Sequence, residues 1–244
     1  MEFQIFNIYL SINRCHYYCS LCNRYINHFN DSGTKSPVWD HYKTIGGSYR
    51  LDRCPKCNSI GRERMVQLFL KEGEKYKGKD ILHVAPEISL SNWLQNKKCK
   101  YVAIDKKEGY YANKYPANVK NADITHLEFC DESFDIIICN HVLEHVIDDH
   151  QAIKELYRVL RYGGFAIIQV PMALDLENTI ENIAASEEEK FNLYGHIDHK
   201  RLYGYKSFKT LLEHYGFNVV PTAIRFNAIK YGFDVEEKLM VCYK

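Results

Sequence analysis

Phe134-Asp135-Ile136-Ile137-Ile138-Cys139 is a short, nearly unbroken apolar run closed by the polar pair Asn140-His141. A run of this length, rich in β-branched residues, reads as a strand buried on both faces. Similar runs lie on either side of it, at 81–84, 101–104 and 165–170, with a weaker one around 119–124. Helical stretches separate them. One covers 90–96, and in another Ile153, Leu156, Tyr157 and Leu160 fall at i, i+3, i+4 and i+7. Gly163-Gly164 is expected to stop the second of these helices. A late helix carries Phe208, Leu211, Leu212 and Tyr215 and ends at Gly216, after which 217–220 and 239–243 close the sheet. Strands alternating with helices predict an α/β fold with a doubly wound, mostly parallel sheet. Its ligand should lie at the carboxyl ends of the central strands.

The chain has 244 residues, enough for one α/β core of this kind and an appendage of about forty to sixty residues. With 46% hydrophobic and 26% charged residues, its composition is that of an ordinary globular protein. The net charge is +1, and the densest basic cluster, Lys97, Lys98 and Lys100, is too small for a duplex-binding stripe, so nucleic acid is not favoured as a partner. No run reaches the roughly eighteen apolar residues of a membrane span. The opening segment lacks a basic start and a small-residue cleavage site, and Glu2, Gln4 and Asn7 interrupt it. It therefore does not read as a signal peptide, and the cytoplasm is the expected location.

Residues 1–57 are aromatic, cysteine-rich and prone to loops, with turn signals at Asp31-Ser32-Gly33 and Gly46-Gly47. From Ser59 the pattern turns helical, with Met65, Leu68, Phe69, Glu72 and Tyr76 on one face. The expected organisation is a zinc-ribbon-like module over 1–58 and an α/β domain over 59–244. Of nine cysteines, Cys19 with Cys22 and Cys54 with Cys57 form two Cys-x-x-Cys pairs. A two-residue spacer lets both sulfurs of a pair face one tetrahedral ion, and two such pairs close a structural zinc site with no open position. Four unrelated buried cysteines or a redox pair are the competing readings, and Cys15 and His16 are possible neighbours of the ion.

The first strand runs into Ala85-Pro86-Glu87, where a nucleotide-containing cofactor approaches the backbone in such sheets, although no glycine stands there. Asp105 ends the second strand about twenty residues later, the distance at which an acid hydrogen-bonds ribose hydroxyls. Asp123 ends the third and can accept from an adenine amino group, or is simply a turn residue.

Read together, 81–87, Ala103-Ile104-Asp105, Asn121-Ala122-Asp123-Ile124-Thr125 and the run from Phe134 to Leu143-Glu144-His145 resemble the ordered motifs of class I, Rossmann-like methyltransferases. The resemblance is strongest to the small-molecule group with Leu-Glu-His after the fourth strand, and covers roughly residues 60–243. It implies S-adenosylmethionine as cofactor, held by Ala85, Pro86, Glu87, Asp105, Lys106, Asp123, Ile124, Asn140 and His141. Cys54-Pro55-Lys56-Cys57-Asn58-Ser59-Ile60-Gly61-Arg62-Glu63-Arg64 is similar to the junction of a subgroup that pairs an N-terminal cysteine ribbon with Ala-Pro-Glu in place of the glycine turn. His83 stands where the broad family has an acid near the cofactor's amino group, so Glu87 is expected to take over that contact.

Methyl transfer from a sulfonium is an in-line displacement that mainly requires positioning, and a hydroxyl acceptor also requires a base. Cys139-Asn140-His141-Val142 is not the Asn/Asp-Pro-Pro-aromatic turn of amine-modifying relatives, which argues against exocyclic amine chemistry. The insertion from Tyr194 to Gly204 holds two histidines, an acid, an arginine and two tyrosines. His199, His196 or, earlier in the chain, His145 is the candidate base. Arg201, Tyr203, Arg62 and Arg64 are candidate acceptor-binding residues. The competing reading is a polar loop with Asp198 capping a short helix. The expected reaction is O-methylation of a small anionic acceptor, sugar-, phosphate- or nucleotide-linked. The alternatives are a methyltransferase acting on RNA or protein and a non-catalytic cofactor-binding scaffold.

Overall fold

The computed structural model describes residues 16–106 and 118–244; Cys15 and the opening segment lie outside them. In chain order the N-terminal part forms β1 (Tyr17–Cys19), β2 (Arg24–Ile26), β3 (Asn30–Ser32), α1 (Pro37–His41), β4 (Thr44–Ile45) and β5 (Arg50–Arg53). There follow α2 (Gly61–Lys71), β6 (Asp80–Val84), α3 (Ile88–Gln95), β7 (Lys100–Asp105), β8 (Lys120–Asn121), β9 (Phe134–Asn140), α4 (Asp149–Val159) and β10 (Leu160–Gln169). The remainder is β11 (Met172–Ala173), β12 (Ile180–Glu181), α5 (Glu187–Tyr194), β13 (Arg201–Gly204), α6 (Tyr205–His214), β14 (Asn218–Thr222), α7 (Ala228–Tyr231) and β15 (Leu239–Tyr243).

The main sheet has seven strands in the order β14-β15-β10-β9-β6-β7-β8. β10, β9, β6, β7 and β8 run parallel, and β15 is antiparallel to both β10 and β14. The run that opened the sequence reading is its central strand β9, with Ile136, Ile137, Ile138 and Cys139 all buried. One face packs under α4 and α6 through Ile153, Leu156, Phe208 and Leu212, the other under α2 and α3 through Met65, Leu70, Leu90 and Leu94. This is the doubly wound arrangement expected from the alternation of strands and helices. No helix among the described residues is long and apolar enough to cross a membrane.

Two elements differ from expectation. α4 ends at Val159, and Gly163-Gly164 lies inside β10, where the register against β9 slips between the pairs Leu160–Phe134 and Phe165–Ile136. Gly163 has φ +73°, and a Cβ on Gly164 would stand 2.6 Å from the Asp135 carbonyl oxygen, so the pair makes a bulge rather than a helix stop. The weak third strand shrinks to Lys120–Asn121 at the sheet's edge. A second sheet, β12-β13-β11-β4, has no counterpart in the sequence reading; in it β4 of the N-terminal part pairs antiparallel with β11.

Arg64, on α2, clamps the N-terminal part to the rest of the chain. It is fully buried beneath the Phe29 ring, with the guanidinium carbon 4.4 Å from the ring centroid. Its Nε donates to the Tyr231 carbonyl (2.6 Å), Nη1 to the Ser59 carbonyl (2.7 Å) and hydroxyl (3.2 Å), and Nη2 to the carbonyls of Asp52 and Gly232 (2.7 Å for the latter). All five N–H groups are therefore used internally, and Arg64 is not the anion-binding residue expected from sequence. Breaking such a site leaves several buried carbonyls without donors. Arg64→Leu should lower stability by about 3–5 kcal/mol, read as a fall in the urea midpoint. A change within about 0.5 kcal/mol, the usual surface-substitution range, would contradict the clamp.

Candidate functional site

The strand order reverses between β6 and β9, and a cleft of about 1330 Å³ opens at their carboxyl ends. The chain leaves β6 through Ala85 at φ +46° and β9 through His141 at φ +54°. The left-handed region costs a residue with a side chain roughly 1–2 kcal/mol, so both turns are held in place by their surroundings. The Ala85 N–H donates to the Ile104 carbonyl (2.8 Å) and the His141 N–H to the Gln169 carbonyl (2.7 Å). The cleft is lined by Ala85, Pro86, Glu87, Asp105, Lys106, Asp123, Ile124, Asn140 and His141, the nine residues expected to hold a cofactor.

Around that turn the acids are well defined. Asp105 accepts from the Lys106 N–H at 2.8 Å. Asp123 Oδ1 accepts from the N–H and hydroxyl of Thr125 (2.9 and 2.7 Å), and its Oδ2 lies 3.3 Å from Lys106 Nζ. Those Thr125 bonds hold its carboxyl below the ordinary range. His83 is buried beneath the turn, its Nδ1 2.9 Å from the Tyr101 hydroxyl and its Nε2 2.9 Å from Glu87 Oε2. The acid facing the turn thus comes four residues after His83. Glu87 Oε1 also accepts from Asn140 Nδ2 (3.2 Å) and Arg62 Nε (3.3 Å). Burial pushes the Glu87 carboxyl up, but the His83 bond and the charges of His83 and Arg62 prevail and hold it at about 2.

The opposite wall of the cleft carries His145, His196, Asp198 and His199. His196 Nδ1 hydrogen-bonds Asp198 Oδ1, and His145 Nδ1 faces Asp198 Oδ2 at 3.5 Å. The His199 ring lies 4.8 Å from that of His145 and 5.0 Å from that of His196, centroid to centroid. Burial and the neighbouring His145 and His196 push His199 down to about 3, so it is a neutral imidazole at ordinary pH. Asp198 is pushed up by burial, yet the His196 bond and the surrounding imidazoles bring it to about 2. Beneath them Glu144 is 1% exposed, and burial raises its carboxyl to about 8. A smaller cavity of about 110 Å³ adjoins at Arg62, His141 and His199; Trp39, Gly46, Gly47 and Arg50 of the N-terminal part line it.

Of the acceptor-side candidates, only Arg62 and the three histidines line the cleft. Arg201 is buried and donates to the carbonyls of Leu143 (3.0 Å), Val146 (2.5 Å) and Ile147 (2.8 Å) and to Glu181 (2.6 Å), so it braces the loop after β9 rather than a substrate anion. Tyr203 is likewise buried, its hydroxyl donating to Asp149 at 2.5 Å. Asp198 caps no helix among the described residues. Sequence reasoning assigned no role to Glu144, although it is the middle residue of the Leu-Glu-His motif, nor to Trp39 and Arg50, whose place depends on long-range packing.

Away from the cleft, Cys19, Cys22, Cys54 and Cys57 converge, with all four sulfurs within 4.8 Å of one another. The Sγ atoms of Cys19 and Cys57 are 3.6 Å apart and those of Cys22 and Cys54 3.8 Å, and all four are free thiols. Four sulfurs at about 2.3 Å from a tetrahedral ion would be separated by roughly 3.8 Å, so the donor set fits zinc. His16 is exposed and does not join the cluster.

Residues 87–168 match the family model of the methyltransferase domain. An uncharacterized protein of Methanocaldococcus jannaschii is 30% identical over 133 residues, which is 50% of this chain and 54% of that protein. A demethylmenaquinone methyltransferase of Lactobacillus johnsonii is 28% identical over 138 residues, 50% of this chain and 55% of its own. The chain thus spans about half the length of these curated relatives. Among solved structures, an S-adenosylmethionine-dependent methyltransferase from Mesorhizobium loti superposes with a TM-score of 0.52 at 13% identity, covering 76% of this chain and 97% of the other, a likeness of fold. With the matched segment running from α3 into β10 around the cleft, this part of the chain is similar to methyltransferase domains, and its fold is shared with an S-adenosylmethionine-dependent methyltransferase.

Proposed function

We propose that the protein transfers the methyl group of S-adenosylmethionine to an oxygen of a small, anionic acceptor. The observation that carries this reading is one continuous cleft with the turn residues Ala85–Glu87 and Asp105 on one wall and the His145, His196, His199 and Asp198 group on the other. The cofactor would supply an electrophilic methyl on a sulfonium. Asp105 would accept from ribose hydroxyls, Asp123 and Ile124 would flank the adenine, and Glu87, Asn140 and His141 would line the amino-acid end. His199, neutral at ordinary pH, would take the acceptor's proton, with His145 and His196 as its partners and the Asp198 carboxylate at hand to stabilise the imidazolium. Arg62, which lines both cavities, is the cation suited to an anionic acceptor.

A second reading is methylation of a ring carbon in a quinone-like acceptor. It is favoured by the Lactobacillus johnsonii relative and by a Haemophilus ducreyi relative named as a ubiquinone and menaquinone biosynthesis C-methyltransferase, 37% identical over 51 residues, 21% of this chain and 20% of that protein. Labelled S-adenosylmethionine with a panel of phenolic, sugar and quinol acceptors separates the two, since NMR distinguishes a new methyl ether from a ring methyl. The four cysteines are proposed to hold one structural zinc, making the N-terminal part a ribbon-like wall of the acceptor cavity.

Three outcomes are expected. Asp105→Ala should weaken S-adenosylmethionine binding by roughly 1–3 kcal/mol in calorimetry, and an unchanged affinity in a folded variant would move the ribose elsewhere. His199→Ala should leave that affinity nearly intact while methyl transfer drops about 10²–10⁴-fold; wild-type turnover would remove it from the reaction. Protein dialysed against EDTA should retain about one equivalent of zinc by elemental analysis, lost in Cys54→Ser; a folded, zinc-free wild type would refute the closed site.

A further inference from the structure

The histidine-carboxylate group over the cleft has more donors than hydrogen bonds. Neither carboxylate oxygen of Glu144 makes a hydrogen bond although the side chain is 1% exposed; His141 Nδ1 lies 3.2 Å and His145 Nε2 4.0 Å from its Oε1. Nδ1 of His199 is also buried without a hydrogen bond. Leaving such groups unmatched costs on the order of 1–3 kcal/mol each, more for a charge. Donor atoms of Glu144, His145 and His199 lie within 4.8 Å of one another, and the same holds for His196, Asp198 and His199.

We propose that Glu144, His145 and His199 bind a divalent transition-metal ion, a second site distinct from the four cysteines. The 4.0 Å between His145 Nε2 and Glu144 is too long for a hydrogen bond, yet it is within the span of two donors each about 2.1 Å from one ion. With Nε2 turned to the ion, His145 presents Nδ1 to Asp198, the carboxylate–histidine–metal relay that fixes tautomer and raises ligand basicity. The backbone beneath is rigid: Arg201 holds the carbonyls of Leu143, Val146 and Ile147, and the Lys200 N–H donates to the Glu144 carbonyl at 2.7 Å. Two imidazoles and one carboxylate suit zinc, iron(II), manganese, cobalt or nickel rather than calcium or magnesium, and leave coordination positions open. All three residues line the cleft, which gives a ligand access to such positions. On the methyl-transfer reading, which this last point alone rests on, they would receive an oxygen of the acceptor, with His196 and Asp198 left to take its proton in place of the ligated His199, so the acceptor class narrows to molecules that present an oxygen ligand to a metal.

The test uses the full chain with its cysteine site loaded, dialysed against EDTA and titrated with cobalt(II) chloride. Elemental analysis after gel filtration should find one equivalent of cobalt beside the retained zinc, with the weak visible bands of nitrogen and oxygen ligation and no intense thiolate charge-transfer band. Glu144→Gln and His199→Ala should lose the cobalt and keep the zinc. Wild-type protein that holds no cobalt, or variants that hold it as well as wild type, overturn the proposal; the wild-type measurement decides even if a variant fails to fold. Calorimetry with S-adenosylmethionine on the same samples reports separately on the methyl-transfer reading. Cobalt without cofactor binding upholds the metal site and sinks that reading, and the reverse result does the opposite.

Discussion

A single guanidinium with every N–H committed to protein sets the geometry on which the rest depends. Arg64 gathers carbonyls from Asp52, Ser59, Tyr231 and Gly232, groups separated by as many as 168 positions from the arginine itself. Asp52 secures the same junction from the other side, accepting from the Gly61 N–H at the start of α2 (2.8 Å) and from the Ser32 hydroxyl. Because α2 packs on the sheet, this knot fixes where the N-terminal residues sit over the strand ends. Trp39, Gly46, Gly47 and Arg50 reach the smaller cavity as a result. The cysteine cluster, tied in through Ser59, lies on the far side of the same junction.

Arg201 repeats the device beneath the histidines of the cleft. A buried charge is tolerated there because carbonyls and the carboxylates of Glu181 and Asp149 surround it. The loop after β9 would otherwise have little secondary structure to hold it, and it carries both Glu144 and His145. Their surroundings also spread their proton affinities apart, with burial pushing Glu144 to about 8 while the His196 bond and the surrounding imidazoles draw Asp198, beyond the His145 ring, to about 2. Acids held in such different states at one cleft are a common property of reaction sites.

The sheet was legible because its central strands are continuous runs of β-branched residues, a signal that needs no knowledge of neighbours. The turn residues from Ala85 to Glu87, and Asp105 and Asp123, were legible for a related reason: in a doubly wound sheet the strand ends converge by topology alone. Arg64, Arg201 and Tyr203 were not. Whether an arginine meets a ligand or a set of carbonyls depends on which distant segments fold over it, and local spacing carries no trace of that. Gly163-Gly164 was misread because a glycine pair after a helical pattern looks the same whether it ends the helix or bulges the next strand. The strands of the second sheet are two to four residues long, too short to show a period.

The pairing of Thr44 and Ile45 with Ala173 and Met172 has a consequence for how the chain is made. A ribosome releases the amino-terminal residues first, but β4 has no partner until β11 has emerged, and Arg64 has none at Tyr231 and Gly232 until α7 is out. Contacts of such sequence separation form slowly, because the intervening loop must be ordered before they repay it. The cysteine segment therefore lacks its final walls until α7 has followed it. Nascent chains should expose Trp39 until Tyr194 and Leu202 have emerged and Phe29 until Gly232 has, a window in which chaperone binding competes with closure.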